Sequence, residues 1–147
     1  MKYDVLTTKH HEGFCLFGGN LILNVGPTAR GEFDYRATNA LDSMSYWMHA
    51  NNKAIYNCTY APVDFKVQEN TKLTYNPKTK RLYVHLFAYP VDGKLILPAY
   101  QGKIKYAQFL NDISELRYRN ITNGVDVELT LPENMPKYEI PVELILQ

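Results

Sequence analysis

Apolar residues along this chain follow two different periods. From Asp34 to His49, Ala37, Ala40, Leu41, Met44, Trp47 and Met48 fall at i, i+3, i+4, i+7, i+10 and i+11, the spacing of a helix that buries one face. Asp34 is its expected N-cap. The helix is expected to end near Asn51-Asn52, because asparagine accepts the left-handed conformation that closes many helices. After Pro62 the period becomes two. Leu82, Val84, Leu86 and Ala88 alternate with Tyr83, His85, Phe87 and Tyr89, and Val125, Val127, Leu129 and Leu131 alternate with Asp126, Glu128 and Thr130. Ile140, Val142, Leu144 and Leu146 form a last strand. Turn signals at Asn76-Pro77, Val91-Asp92-Gly93, Asn111-Asp112 and Asn123-Gly124 separate these runs. Short strands at this spacing predict an antiparallel β-sandwich. Its expected core holds Leu82, Val84, Leu86, Val127, Leu129, Ile140, Val142 and Leu144.

Ahead of the helix, Tyr3 to Thr8 are rich in β-formers and run into Lys9-His10-His11-Glu12-Gly13-Phe14, which reads as a strand ending in a polar loop. Gly18-Gly19 breaks the chain. Asn20 to Pro27 is then a short, near-continuous apolar run of the kind buried on both faces of a parallel sheet. The sequence therefore predicts an α+β, mostly β chain: two strands and a helix of an α/β layer over residues 1–61, then the sandwich over 62–147. No internal repeat or low-complexity tract interrupts it.

The 147 residues fit one ordinary domain or a small domain with part of another. A complete (β/α)8 barrel, at roughly 200 residues or more, does not fit. With 46% hydrophobic and 21% charged residues, the composition is that of a chain able to form a core. Net charge is +1, and the densest basic group is the scattered Lys78, Lys80, Arg81, so no nucleic-acid footprint is expected. No apolar run approaches bilayer length and the N-terminus has no apolar signal core. The expectation is a soluble chain without an export signal, its compartment left open.

Cys15 and Cys58 are too few for a disulfide framework and too far apart for a CxxC pair, so both read as packing thiols. His10, His11 and Cys15 invite a metal site, but adjacent histidines lack the i, i+4 helical spacing that aims two rings at one ion. His49 and His85 lie on other elements, and no metal or other cofactor is expected. Trp47, in the helical stripe with Met44 and Met48, reads as a packing residue. The twelve tyrosines suit either a sugar-stacking face or a half-exposed sheet. Asn57-Cys58-Thr59 and Asn120-Ile121-Thr122 match the N-glycosylation pattern, although about one or two such matches arise by chance among twelve asparagines.

Several stretches are familiar. Lys2 to Phe17 (KYDVLTTKHHEGFCLF) resembles the early barrel strand and loop of family 29 glycoside hydrolases, the retaining α-L-fucosidases. Gly18 to Pro27 (GGNLILNVGP) is similar to the last barrel strand of those enzymes. Gly31-Glu32-Phe33-Asp34, the Trp47-Met48 helix and Ala54-Ile55-Tyr56-Asn57-Cys58 look like the final barrel helix and its exit. Leu73 to Pro77 and Arg81 to Phe87 look like the start of the family's C-terminal β-sandwich. The resemblance covers essentially the whole chain. It implies a truncated or internally deleted form, a (β/α)-barrel remnant joined to the sandwich, since in the family several βα units separate the HH loop from the last strand. Here Phe17 is followed directly by Gly18.

The resemblance implies hydrolysis of terminal α-L-fucose, with a fucosylated glycan or fucoside as partner and no nucleic acid or membrane. It implies His10 and His11 as the fucose-binding residues, a role that depends on other walls of the pocket. The family's nucleophile, an aspartate on a middle barrel strand, and its acid/base both fall in the missing stretch, so no catalytic residue is assigned. Retaining hydrolysis needs two carboxyl groups about 5 to 5.5 Å apart. Asp4 and Glu12, the acids of the HH segment, would stand roughly 26 Å apart in extended chain. A pairing of Glu12 with Glu32 or Asp34 is disfavoured against solvated loop acids. The chain alone is therefore expected to turn over little substrate, and the rival roles are a non-catalytic glycan-binding or accessory module and one piece of a split fucosidase. The short Phe17-Gly18-Gly19 connection rules out a parallel crossover between the two strands, which leaves apolar surface to be covered by self-association of the N-terminal third.

Overall fold

The computed structural model describes residues 24–66, 69–122, 124–133 and 140–147. The expected strand at 3–8, the HH loop, Cys15 and the first half of the expected strand at 20–27 lie outside the described residues. The second half, 24–27, is not a strand and is largely exposed, because the Gly26-Pro27 stop takes the chain into the turn before the helix instead of into a sheet. Helix α1 spans Tyr35–Asn51 and leads into a 3-10 turn, Asn52–Ala54. Eight strands follow: β1 (Thr59–Tyr60), β2 (Thr71–Asn76), β3 (Arg81–Leu86), β4 (Lys94–Leu97), β5 (Ile104–Phe109), β6 (Tyr118–Asn120), β7 (Val127–Thr130) and β8 (Pro141–Leu146). The described residues are thus mostly β with one α-helix.

Asp34 caps α1 as its sequence position predicts. Its backbone is extended (φ −70°, ψ 163°) and Oδ1 accepts a 2.7 Å hydrogen bond from the Ala37 N–H, satisfying one of the orphan donors of the first turn. The C-terminus differs from expectation. Asn52 has φ −57°, right-handed, because the chain continues into the 3-10 turn, and the next left-handed asparagine along the chain is Asn57 at φ 61°. The apolar stripe is also less buried than its period implies. Of its six residues only Trp47 is buried; Ala37, Leu41, Met44 and Met48 are half-buried and Ala40 is exposed.

The strands form two antiparallel sheets, ordered β1-β2-β3-β8-β5 and β4-β7-β6. Each expected turn signal lies between strands: Asn76-Pro77 opens the β2–β3 reversal, Gly93 precedes β4, Asn111-Asp112 follows β5 and Gly124 precedes β7. Between Ile104 and Tyr106 the β5–β8 register shifts. Such a bulge inserts one residue and inverts the alternation, which lets Ile104 and Ala107, three apart, both reach the core.

One buried cluster draws on both sheets: Leu82, Val84 and Leu86 from β3, Leu95 and Leu97 from β4, Val127 and Leu129 from β7, Val142 and Leu144 from β8. All eight residues expected in the core are buried, at 2% exposure or less. Each such aliphatic side chain contributes about 1.5–3 kcal/mol relative to exposure, which is why this shared interior dominates the fold. Two period-two expectations fail at their ends. Val125 is 52% exposed, before β7 begins, and β3 stops at Leu86, leaving Ala88 exposed in the following bend.

β3 is buried on both faces. Tyr83 and His85, the alternate residues, are 2% and 0% exposed. Tyr83 packs with Ala54 of the 3-10 turn and Leu110, and half-buried Cys58 joins them. The five-stranded sheet thus has the second sheet on one side and the exit of α1 on the other.

Candidate functional site

Polar chemistry inside the described fold concentrates on the face of the five-stranded sheet that meets the 3-10 turn. Register places Tyr83 of β3, Glu143 of β8 and Gln108 of β5 side by side across three neighbouring strands. Glu143 is 1% exposed. Its Oε1 accepts from the Arg81 guanidinium at 2.5 Å and its Oε2 from the Gln108 amide at 2.5 Å. A buried carboxylate persists only when its charge is paired and its oxygens are hydrogen-bonded, and both conditions hold here. The bond to Glu143 pushes the Arg81 pKa above its ordinary value. Burial, and then the neighbouring Glu143 charge, holds the Tyr83 phenol well above the usual tyrosine range.

One strand outward, the Thr74 hydroxyl donates a 2.6 Å hydrogen bond to the Ala54 carbonyl and lies 3.0 Å from Nε2 of His85. The Cys58 thiol donates to the Lys53 carbonyl at 3.3 Å. Together these contacts fasten the exit of α1 onto the sheet. They are a structural seam, because every carboxylate and imidazole in it is buried against protein partners.

Asp34 is committed to capping α1, and Glu32 is an exposed loop acid. Glu128, on β7, accepts from Arg119 at 2.9 Å with Lys94 at 3.8 Å. The Arg119 bond lowers the Glu128 pKa from its ordinary 4.5. His10, His11, Glu12 and Asp4 lie outside the described residues. His49 is exposed at the end of α1, whereas His85 is in the seam. Among the described residues no group of three His, Cys, Asp or Glu side chains could hold a metal ion, and no helix is long and apolar enough to cross a membrane. The Arg81, Gln108 and Glu143 trio was not singled out from sequence. Its one available signal was Glu143 itself, a lone charge inside the apolar run Ile140 to Leu146.

Around α1 the surface is aromatic. Phe33, Tyr35, Tyr46, Tyr56 and Tyr60 are between 55% and 71% exposed.

Residues 17–53, ending inside the 3-10 turn, match the model of the α-L-fucosidase family. Over 121 residues the chain is 34% identical to the plasma α-L-fucosidase of Pongo abelii, covering 76% of this chain and 25% of the relative. It is 27% identical over 131 residues to the α-L-fucosidase of Dictyostelium discoideum, covering 87% of this chain and 26% of the relative. The solved α-L-fucosidase isoenzyme 1 from Paenibacillus thiaminolyticus superposes on 97% of this chain with TM-score 0.85 and 26% identity, covering 34% of the bacterial chain.

The chain belongs to the α-L-fucosidase family. It spans about a quarter of the length of these curated relatives and about a third of the solved fucosidase chain. The family match ends where the 3-10 turn meets the sheets, while the structural match runs on through both. The buried seam therefore joins the segment that the family model matches to the sheets that follow it.

Proposed function

We propose that this chain is a fucoside-recognising section of a retaining α-L-fucosidase, a truncated or internally deleted form that binds the sugar without turning it over alone. Residues 1–61 are read as the barrel remnant, two strands with α1 as the final barrel helix, and residues 62–147 as the C-terminal β-sandwich. The observation that supports this most is the superposition of 97% of the chain on one third of a fucosidase 26% identical to it. His10 and His11 are the residues assigned to the fucose hydroxyls, on the resemblance of the His10-His11-Glu12-Gly13-Phe14 motif to the family.

Turnover needs a nucleophile and an acid/base about 5 to 5.5 Å apart. The described acids nearest to the question are already committed: Asp34 to the helix cap, Glu143 to Arg81 and Gln108, Glu128 to Arg119 and Lys94. Fucosylated glycans or simple fucosides are then ligands, as for an accessory module, with neither nucleic acid nor membrane as partner.

A second reading, one piece of a split fucosidase, is favoured by the exposed aromatic surface around α1. Apolar area of this kind is commonly covered in an assembly. A partner carrying the missing βα units would cover it, as would self-association through the N-terminal third.

Calorimetry with an aryl α-L-fucoside, run beside release of the aryl group, tests these readings. Binding without release, lost in His10→Ala and His11→Ala, is the expected result. Release at enzyme-like rates by the chain alone overturns the non-catalytic reading, and absence of binding overturns recognition. Release only after a barrel-bearing polypeptide is added selects the split enzyme.

A further inference from the structure

The two N-glycosylation tripeptides are separated by the fold. In the first, Thr59 belongs to β1 and is paired with Tyr75, and Cys58 packs against the buried cluster of Ala54, Tyr83 and Leu110. Asn57 itself is exposed, but the Cys58 and Thr59 that complete its tripeptide are held in the seam. In the second, Asn120 is the last residue of β6, an outer strand of the three-stranded sheet, and every residue of β6 is exposed. Thr122 is exposed too, in a turn where the Gly124 N–H donates to the Ile121 carbonyl at 3.0 Å. Neither the Asn120 amide nor the Thr122 hydroxyl has a hydrogen-bond partner among the described residues.

We propose that Asn120 is the acceptor of an N-linked glycan. The tripeptide alone is weak ground, and placement carries the assignment. The amide that must react and the hydroxyl that a transferase must recognise both stand free where the chain leaves the sheet. The co-reactant is an oligosaccharide carried on a polyprenyl pyrophosphate. Nδ2 of Asn120 attacks its anomeric carbon, a C–N bond forms as the carbon–oxygen bond to pyrophosphate breaks, and the amide proton passes to a base of the transferase. The polyprenyl pyrophosphate leaves with the electron pair, and nothing is oxidised or reduced. An outer strand with free backbone groups invites pairing with another chain, so a glycan at its end would also shield that edge. The assignment is independent of the fucoside reading.

The test is to produce the full chain with a secretory leader in cultured eukaryotic cells and digest it with peptide N-glycosidase in heavy-oxygen water. The expected result is a drop in intact mass with Asn120 recovered as labelled Asp. Thr122→Ala should abolish the modification, Thr122→Ser should keep it, and Asn57→Gln should leave it unchanged. Because Thr122 is exposed, circular dichroism melting of the two Thr122 variants should match the parent. An unmodified Asn120 in the secreted chain, or label confined to Asn57, overturns the proposal.

Discussion

Thr74 and His85 meet diagonally across β2 and β3 with Thr74 Oγ1 3.0 Å from His85 Nε2, both wholly buried. A hydroxyl carries one proton, and that of Thr74 is given to the Ala54 carbonyl. Thr74 must therefore accept from His85, so Nε2 carries a proton. One threonine thus sets the imidazole's protonation at that nitrogen and anchors the exit of α1.

Replacing Thr74 by Val preserves shape but strands the Ala54 carbonyl inside the fold and removes the hydrogen bond between Thr74 and His85. An unsatisfied buried polar group costs about 1–3 kcal/mol, so Thr74→Val should lower the urea midpoint by a comparable amount. Thr74→Ser, which keeps the hydroxyl, should restore most of it. Equal midpoints for Val and Ser would show that the hydroxyl contributes nothing.

Arg81 and Glu143 form a pair of unequal burial, with side chains 36% and 1% exposed. Arg81→Met leaves the carboxylate with only the neutral Gln108 and Tyr83 beside it and should destabilise by about 2 kcal/mol, below the range for a fully buried pair because the guanidinium is partly hydrated. Adding Glu143→Leu removes the stranded charge and should recover much of that loss. A double-mutant cycle with no coupling would contradict the pairing.

Tyr83 and Tyr100 both have pKa values raised above the ordinary 10.0, chiefly by burial. A raised folded-state pKa means that stability is whole below the unfolded value and falls as pH climbs above it. Stability should therefore decline above pH 10.0, with two tyrosines ionising only as the chain unfolds. Tyrosinate absorbance followed beside circular dichroism checks this; full ionisation of all tyrosines before any unfolding would refute it.

Ile113 sits at φ 61° and is 65% exposed in the loop after β5. A β-branched residue is strained there and glycine is not, while little packing is lost with the exposed side chain. Ile113→Gly should raise stability by about 1 kcal/mol, or the melting temperature by about 3 °C. A lower melting temperature by scanning fluorimetry would mean that the side chain makes a contact worth more than the strain.

The sequence by itself determined the local elements. Helical spacing located α1 and its Asp34 cap, alternation named the eight core residues, and Asn, Pro and Gly marked where the strands turn. These signals are legible because capping, turn geometry and one-sided burial act over a few residues. It also carried the family resemblance, through motifs whose first part, the HH loop with His10 and His11, lies outside the described residues.

Only the tertiary structure decided which faces are covered. Alternation in β3 reads as one buried face, yet Tyr83 and His85 are buried as well, because the turn at Asn52–Ala54 lies over them. The same spacing in α1 leaves Leu41 and Met44 half-buried, since a helical period specifies a stripe without supplying what covers it. Glu143 stood in the sequence as a charge in an apolar strand, and its partners Arg81 and Gln108 are 62 and 35 residues away. Contacts at such separation depend on strand order, β3-β8-β5, which no local pattern encodes.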